Sequence, residues 1–72
     1  MYNLHIVRHY VKGDGDCFKS TVEMDGEVLR EFEDTNQCKG YVRAISYVDA
    51  FYDLFGTDEV KVTEDMRGYD PD

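Results

Sequence analysis

The residues best suited to chemistry are two histidines, two cysteines and a close pair of aspartates. His5 and His9 are four apart in an alternating stretch. On a strand they share a face but stand about 13 Å apart along it, too far for one metal ion to bridge directly. A zinc site recruiting Cys17 is the remaining metal option, and it is not expected because zinc needs a fuller ligand set than this spacing supplies. Asp14 and Asp16 flank Gly15, but a calcium loop needs several more oxygen ligands and a distal Glu. Cys38 falls near the start of a helical stretch, where a thiol pKa can drop, yet no positioned base accompanies it. The chain has no phosphate-cradling glycine loop, nucleophile elbow or paired-cysteine motif. No catalytic residue, metal or cofactor is expected.

The elements that must position these residues can be read from periodicity and turn residues. Residues Tyr2 to Lys12 alternate, with Leu4, Ile6 and Tyr10 on one side and His5, Val7, His9 and Val11 on the other. Both sides are partly apolar, which suits a central strand. Gly13-Asp14-Gly15-Asp16 is a turn cluster. A second strand runs from Cys17 to about Glu23 and a third from Glu27 to Glu33. Two turns compete between them. A two-residue Asp25-Gly26 turn pairs Val22 with Leu29 and sets Phe18 opposite Glu33. A three-residue loop with a left-handed Gly26 and a bulge pairs Val22 with Val28 and Phe18 with Phe32. The second keeps the apolar residues on one face and sets Lys19 opposite Glu31, so it is the expected pairing.

Asp34-Thr35-Asn36 offers an N-cap for a helix running to about Phe55. Its apolar stripe is Tyr41, Ile45, Val48, Tyr52 and Phe55, widened by Ala44 and Phe51. Gly56 is its stop. A last strand spans Asp58 to Glu64, with Val60 and Val62 inward. The predicted fold is therefore a single α+β domain over residues 1–65, of order β-β-β-α-β, followed by a flexible acidic tail over 66–72. A right-handed crossover lays the last strand parallel to the first. The sheet is then mainly antiparallel, in order 3-2-1-4, with one helix on one face and the other face largely open.

Composition narrows function. The 72 residues are 42% hydrophobic and 14% aromatic, enough to build a core. Sixteen acids against eight bases give a net charge of −8, more than solubility alone asks for in a small domain. Direct binding to nucleic acid or to an anionic membrane is not expected, because phosphate would be repelled. Two cysteines are too few for a disulfide scaffold, and neither a signal peptide nor a membrane span is visible. The expected location is the cytoplasm.

The acids are placed where they oppose folding. In the expected register Glu27, Glu31 and Glu33 share the face opposite Val28 and Phe32, and Glu23 stands opposite Glu27, an unfavourable like-charge pair. Residues two apart on a strand rise about 6.6–6.8 Å, comparable to the path between successive phosphates of one DNA strand. Asp49 and Asp53 are a further unfavourable pair, four apart on the helix. Asp25 at the turn and Asp58 and Glu59 after the helix extend the set. Tyr47, off the expected stripe, is a candidate interface anchor, and with Ala50 it marks a candidate homodimer face. The partner-binding candidates are thus Glu23, Asp25, Glu27, Glu31, Glu33, Asp49, Asp53, Asp58, Glu59 and Tyr47.

Two resemblances follow from these residues. In size, charge and architecture the chain resembles the acidic DNA-mimic proteins with which bacteriophages disable host DNA-binding proteins. That resemblance implies a basic DNA-binding host partner, with a histone-like nucleoid-associated protein the preferred candidate. The strand order resembles the first half of the ribonuclease H fold. That family places a carboxylate in the first strand, a Glu on the helix and an Asp at the end of the fourth strand. Here the first strand has no acid, the helix offers Asp49 and Asp53 but no Glu, and Asp65 follows the last strand, so nuclease activity is not implied. A truncated form of the same fold occurs in small antitoxins, which implies an alternative role as an antitoxin-like or adaptor module.

Overall fold

A computed structural model describes residues 1–10, 17–34, 36 and 39–68. Its elements are β1 (Tyr2–Tyr10), β2 (Cys17–Met24), β3 (Glu27–Glu33), α1 (Lys39–Phe55) and β4 (Val60–Arg67). The sheet order is β3-β2-β1-β4, with β1 and β4 parallel and the other pairs antiparallel. This is the expected α+β architecture and strand order. The expected end of the first strand at Val11 and Lys12, the 13–16 turn, the cap contribution of Thr35, Cys38 and the tail from residue 69 lie outside the described residues.

Burial explains why these segments choose these elements. Leu4, Ile6, Val22, Ala44, Val48 and Val60 form the core between the sheet and α1. Alternation on β1 sends Leu4 and Ile6 to the helix side and Val7 to the other, so the central strand is apolar on both faces. At the helix entrance the Asp34 carboxylate accepts the Asn36 N–H at 2.9 Å, and Arg43 returns to Asp34 at 2.9 Å. Gly56, with φ 86°, ends the helix, and its N–H donates to the Tyr52 carbonyl at 2.8 Å. Left-handed backbone at this position favours glycine.

The β2–β3 hairpin departs from the expected three-residue loop. Met24 pairs with Glu27 and Glu23 with Val28. The turn is therefore two residues, Asp25 and Gly26, with φ 53° and 85°. Two successive left-handed residues match the twist of the flanking strands. Continued unbroken, that register would turn Phe32 away from the helix. A bulge at Leu29 corrects it: Val22 pairs with Arg30 and Ser20 with Phe32, so Phe32 packs on the core. The expected Val22–Val28 and Phe18–Phe32 pairs do not form. Lys19 stands opposite Glu33 rather than Glu31, yet its ammonium reaches Glu31 diagonally at 3.2 Å.

Two further expectations are corrected. The buried helix residues are Gly40, Ala44 and Val48, flanked by Tyr41, Tyr47, Phe51 and Tyr52, whereas Ile45 and Phe55 are exposed. The apolar stripe is rotated toward β2 and β3, against which the helix mainly packs. Gly40 permits this seating: a Cβ there would lie 2.6 Å from the Phe32 carbonyl oxygen. Strand β4 also continues past Glu64 to Arg67, because Met66 and Arg67 pair with Arg8 and His9.

Candidate partner-binding surface

Register places the acids. Leu4 pairs with Met24 and Tyr2 with Val60. The β2–β3 turn and the starts of β1 and β4 therefore share one end of the sheet. The Phe55 ring stacks on Tyr2, centroids 4.4 Å apart, which brings the C-terminus of α1 to the same end. Asp25, Glu27, Asp53, Asp58 and Glu59 are all exposed there. Asp49 lies one turn back on the helix, also exposed. Glu59 approaches the chain's amino group at 3.7 Å, and Tyr2 N–H donates to its carbonyl at 2.7 Å. Asp25, Glu27, Asp49, Asp53 and Asp58 form no ion pair among the described residues.

The expected row on the third strand is broken. The bulge puts Glu27 opposite Met24, which packs on the core, while Glu31 pairs with Thr21 and Glu33 with Lys19 on the other face. Glu23 faces Val28, so the expected Glu23–Glu27 repulsion is absent. Two candidates are not free surface groups. The Glu23 side chain is 12% exposed and pairs with Arg67 at 3.5 Å. Tyr47 is half-buried between the rings of Phe32 and Phe51, at 5.7 and 5.4 Å. The Tyr47–Ala50 homodimer face therefore lacks its exposed aromatic anchor.

The helix adds an electrostatic feature that periodicity does not reveal. Lys39 and Arg43 occupy its N-terminal half, Asp49 and Asp53 its C-terminal half, with no acid in the first turn and no base in the last. A helix carries partial positive charge at its N-terminus and partial negative charge at its C-terminus. These side chains run against that dipole. Arg43 is compensated by Asp34; the aspartates at the other end add to the dipole and to Asp58 and Glu59.

On the face of the sheet away from α1, which was expected to be largely open, Asn3, Glu31, Glu33, Lys61, Thr63, Asp65 and Arg67 are exposed, and polar side chains close over its centre alone. Val7 is 0% exposed and Thr21 2%, although among the described residues no helix or strand lies over them. Arg67 on β4 pairs with His9, and Glu23 on β2 pairs with His5. An ion pair between them must cross β1 over Val7. His5 Nδ1 meets the Thr63 hydroxyl at 2.7 Å, and His9 Nε2 meets the Thr21 hydroxyl at 3.0 Å. The His9 pKa is lowered by burial and by the nearby Lys19 and Arg67 charges, against the opposing pull of Glu23 and Glu31. Acids and bases are mixed here, so this face carries no one-signed field.

On the helix side, Arg8 lies over the Tyr41 ring at 4.6 Å, and the Tyr41 hydroxyl donates to Glu64. That hydrogen bond, more than burial, raises the Tyr41 pKa. Cys17 is buried, its thiol directed at the Lys19 carbonyl. Asp65 shares the far face of the sheet with Val7, whereas Asp49 and Asp53 are on the outer surface of α1. The ribonuclease H-like carboxylates are thus not brought together. Among the described residues there is no pocket, no group of three metal-ligating side chains, and no helix long and apolar enough to cross a membrane. Comparison with protein-family models, curated proteins and solved structures finds no match to this chain.

Proposed function

We propose that this protein is a non-catalytic inhibitor that binds a basic DNA-binding protein in the cytoplasm and occupies its DNA site. Its surface acts as a DNA surrogate in the manner of the bacteriophage-encoded acidic proteins. The preferred partner is a histone-like nucleoid-associated protein, whose basic surface accepts DNA with little regard to sequence. The observation that carries this reading is the charge order of α1. A chain under selection for folding alone gains stability by placing acids at a helix N-terminus and bases at its C-terminus. Here Asp49 and Asp53 sit in the half of the helix that is wrong for stability, and Asp53 shares the end of the molecule that carries Asp25, Glu27, Asp58 and Glu59. A cationic partner relieves that repulsion on binding, and the concentrated field accelerates encounter.

The carboxylates are a cluster at one end rather than a ladder along β3, so the mimicry rests on field strength rather than on a phosphate-spaced row. The test is displacement of a labelled DNA duplex from a purified histone-like nucleoid protein. Displacement should be strong at low salt and weaken steeply as salt rises. Failure to displace DNA at low salt rejects the reading.

The β-β-β-α-β order with strands 3-2-1-4 favours a second reading, an antitoxin-like module on a truncated ribonuclease H-like fold. Binding of that kind uses apolar contacts or a sheet edge and is nearly insensitive to salt.

A further inference from the structure

The acidic end also holds large apolar side chains without cover. Met1 and Leu54 are each 77% exposed, and Tyr2 and Phe55 join them as exposed rings. The two rings are not loosely placed. Phe32, Tyr47, Phe51, Phe55 and Tyr2 form a continuous row of ring contacts, centroids 4.4–5.7 Å apart, running from the core to this end. Rigid aromatic side chains lose little conformational freedom on binding, and such residues anchor interfaces. Asp53 precedes Leu54 in the chain, and Asp58 follows the end of the helix; both are exposed.

We infer that this end is a docking site for a protein segment that presents an apolar side chain between lysines or arginines. The inference rests on the basic-partner reading and locates its contact. The rim of carboxylates selects cationic partners and repels an anionic lipid surface or a second copy of this acidic chain. The patch supplies what a phosphate-like surface lacks: apolar contact that slows dissociation. Encounter is therefore set by the acids and residence by Leu54, Phe55, Tyr2 and Met1.

The test uses two synthetic peptides of equal length and charge as probes, one of lysine interspersed with leucine, the other of lysine interspersed with serine. Binding is read from backbone amide shifts of the isotope-labelled chain. The leucine peptide is expected to bind about tenfold tighter, the gain from burying one leucine-sized side chain, with shifts concentrated at residues 53–59 and at Tyr2. Leu54→Ser should erase that advantage while leaving serine-peptide binding intact. Val42→Ser, exposed near the other end of the helix, should change neither. Equal affinity of the two peptides, absence of binding, shifts elsewhere, or an advantage that survives Leu54→Ser would each overturn the inference. A chain that discriminates the peptides but fails to displace DNA keeps this docking site and loses the DNA-surrogate reading.

Discussion

Arg67 and Glu23 are joined across an intervening strand: Arg67 Nη1 on β4 lies 3.5 Å from Glu23 Oε2 on β2, with Val7 of β1 beneath. The carboxylate oxygen is buried and has no hydrogen-bond donor among the described residues, so the guanidinium is its main compensation there. Removing one partner of such a pair strands the other in a poorly solvated place. Arg67→Ala should lower the unfolding free energy by about 1–2 kcal/mol, read as a lower urea midpoint. The more exposed Lys19–Glu31 pair is the comparison: Glu31→Ala should cost no more than about 0.5 kcal/mol. Equal effects of the two substitutions would contradict a strap over Val7.

Gly40 decides how α1 seats on the sheet. Helix propensity alone favours Gly40→Ala by up to about 1 kcal/mol. The added Cβ, however, would lie 2.6 Å from the Phe32 carbonyl oxygen and 3.3 Å from that of Phe18. Both are backbone atoms of paired strands and cannot swing aside, and overpacking of this kind costs about 1–3 kcal/mol. The clash wins, so the variant should be less stable by thermal denaturation. A raised melting temperature would show that the helix tolerates a shift away from β3.

The charge order of α1 separates function from folding. Neutralising both Asp49 and Asp53 with Asn removes a like-charge pair and two charges opposed to the dipole. Stability at low salt should rise by about 0.5–1 kcal/mol, and the gain should shrink as salt screens it. The same variant should displace DNA from its basic partner less well. A double variant that is no more stable at low salt would remove the electrostatic argument for the acidic end.

How much of this was legible in the sequence differs by element. Alternation in Tyr2–Tyr10, the Gly56 helix stop and the strand order were readable, because each depends on local period or cap chemistry; the helix start was read too early, since α1 begins at Lys39 and the Asp34 carboxylate holds the Asn36 N–H ahead of it. The hairpin was not. Asp25-Gly26 favours a two-residue turn while Phe32 demands the helix side, and only the one-residue bulge at Leu29 satisfies both. The bulge moved Glu27 off the face of Glu31 and Glu33 and so broke the expected row. The helix stripe missed Tyr47 and overstated Ile45 and Phe55, since rotation is set by Gly40 against the Phe32 carbonyl rather than by period. Asp25, Glu27, Asp53, Asp58 and Glu59 were each identifiable as exposed acids, but their meeting at one end required the Leu4–Met24 and Tyr2–Val60 registers. Arg67 was missed because its strand was ended too early.

His9 gives the fold a dependence on acid that can be measured apart from binding. Burial, Lys19 and Arg67 lower its pKa below 6.5, Glu23 and Glu31 only partly oppose them, and its Nε2 is engaged with the Thr21 hydroxyl. The unfolded chain therefore takes up the His9 proton at higher pH than the folded one. This contribution to stability is complete above about pH 6.5 and is lost as pH falls through the depressed folded value. Protonation would also set a third cation beside Lys19 and Arg67 and weaken the covering of Val7. His9→Gln keeps a polar partner for Thr21 and does not titrate. Its stability should decline less steeply than that of the unaltered chain between pH 7 and the onset of carboxylate titration, about pH 5. Parallel curves for the two proteins over that interval would show that His9 protonates alike in both states.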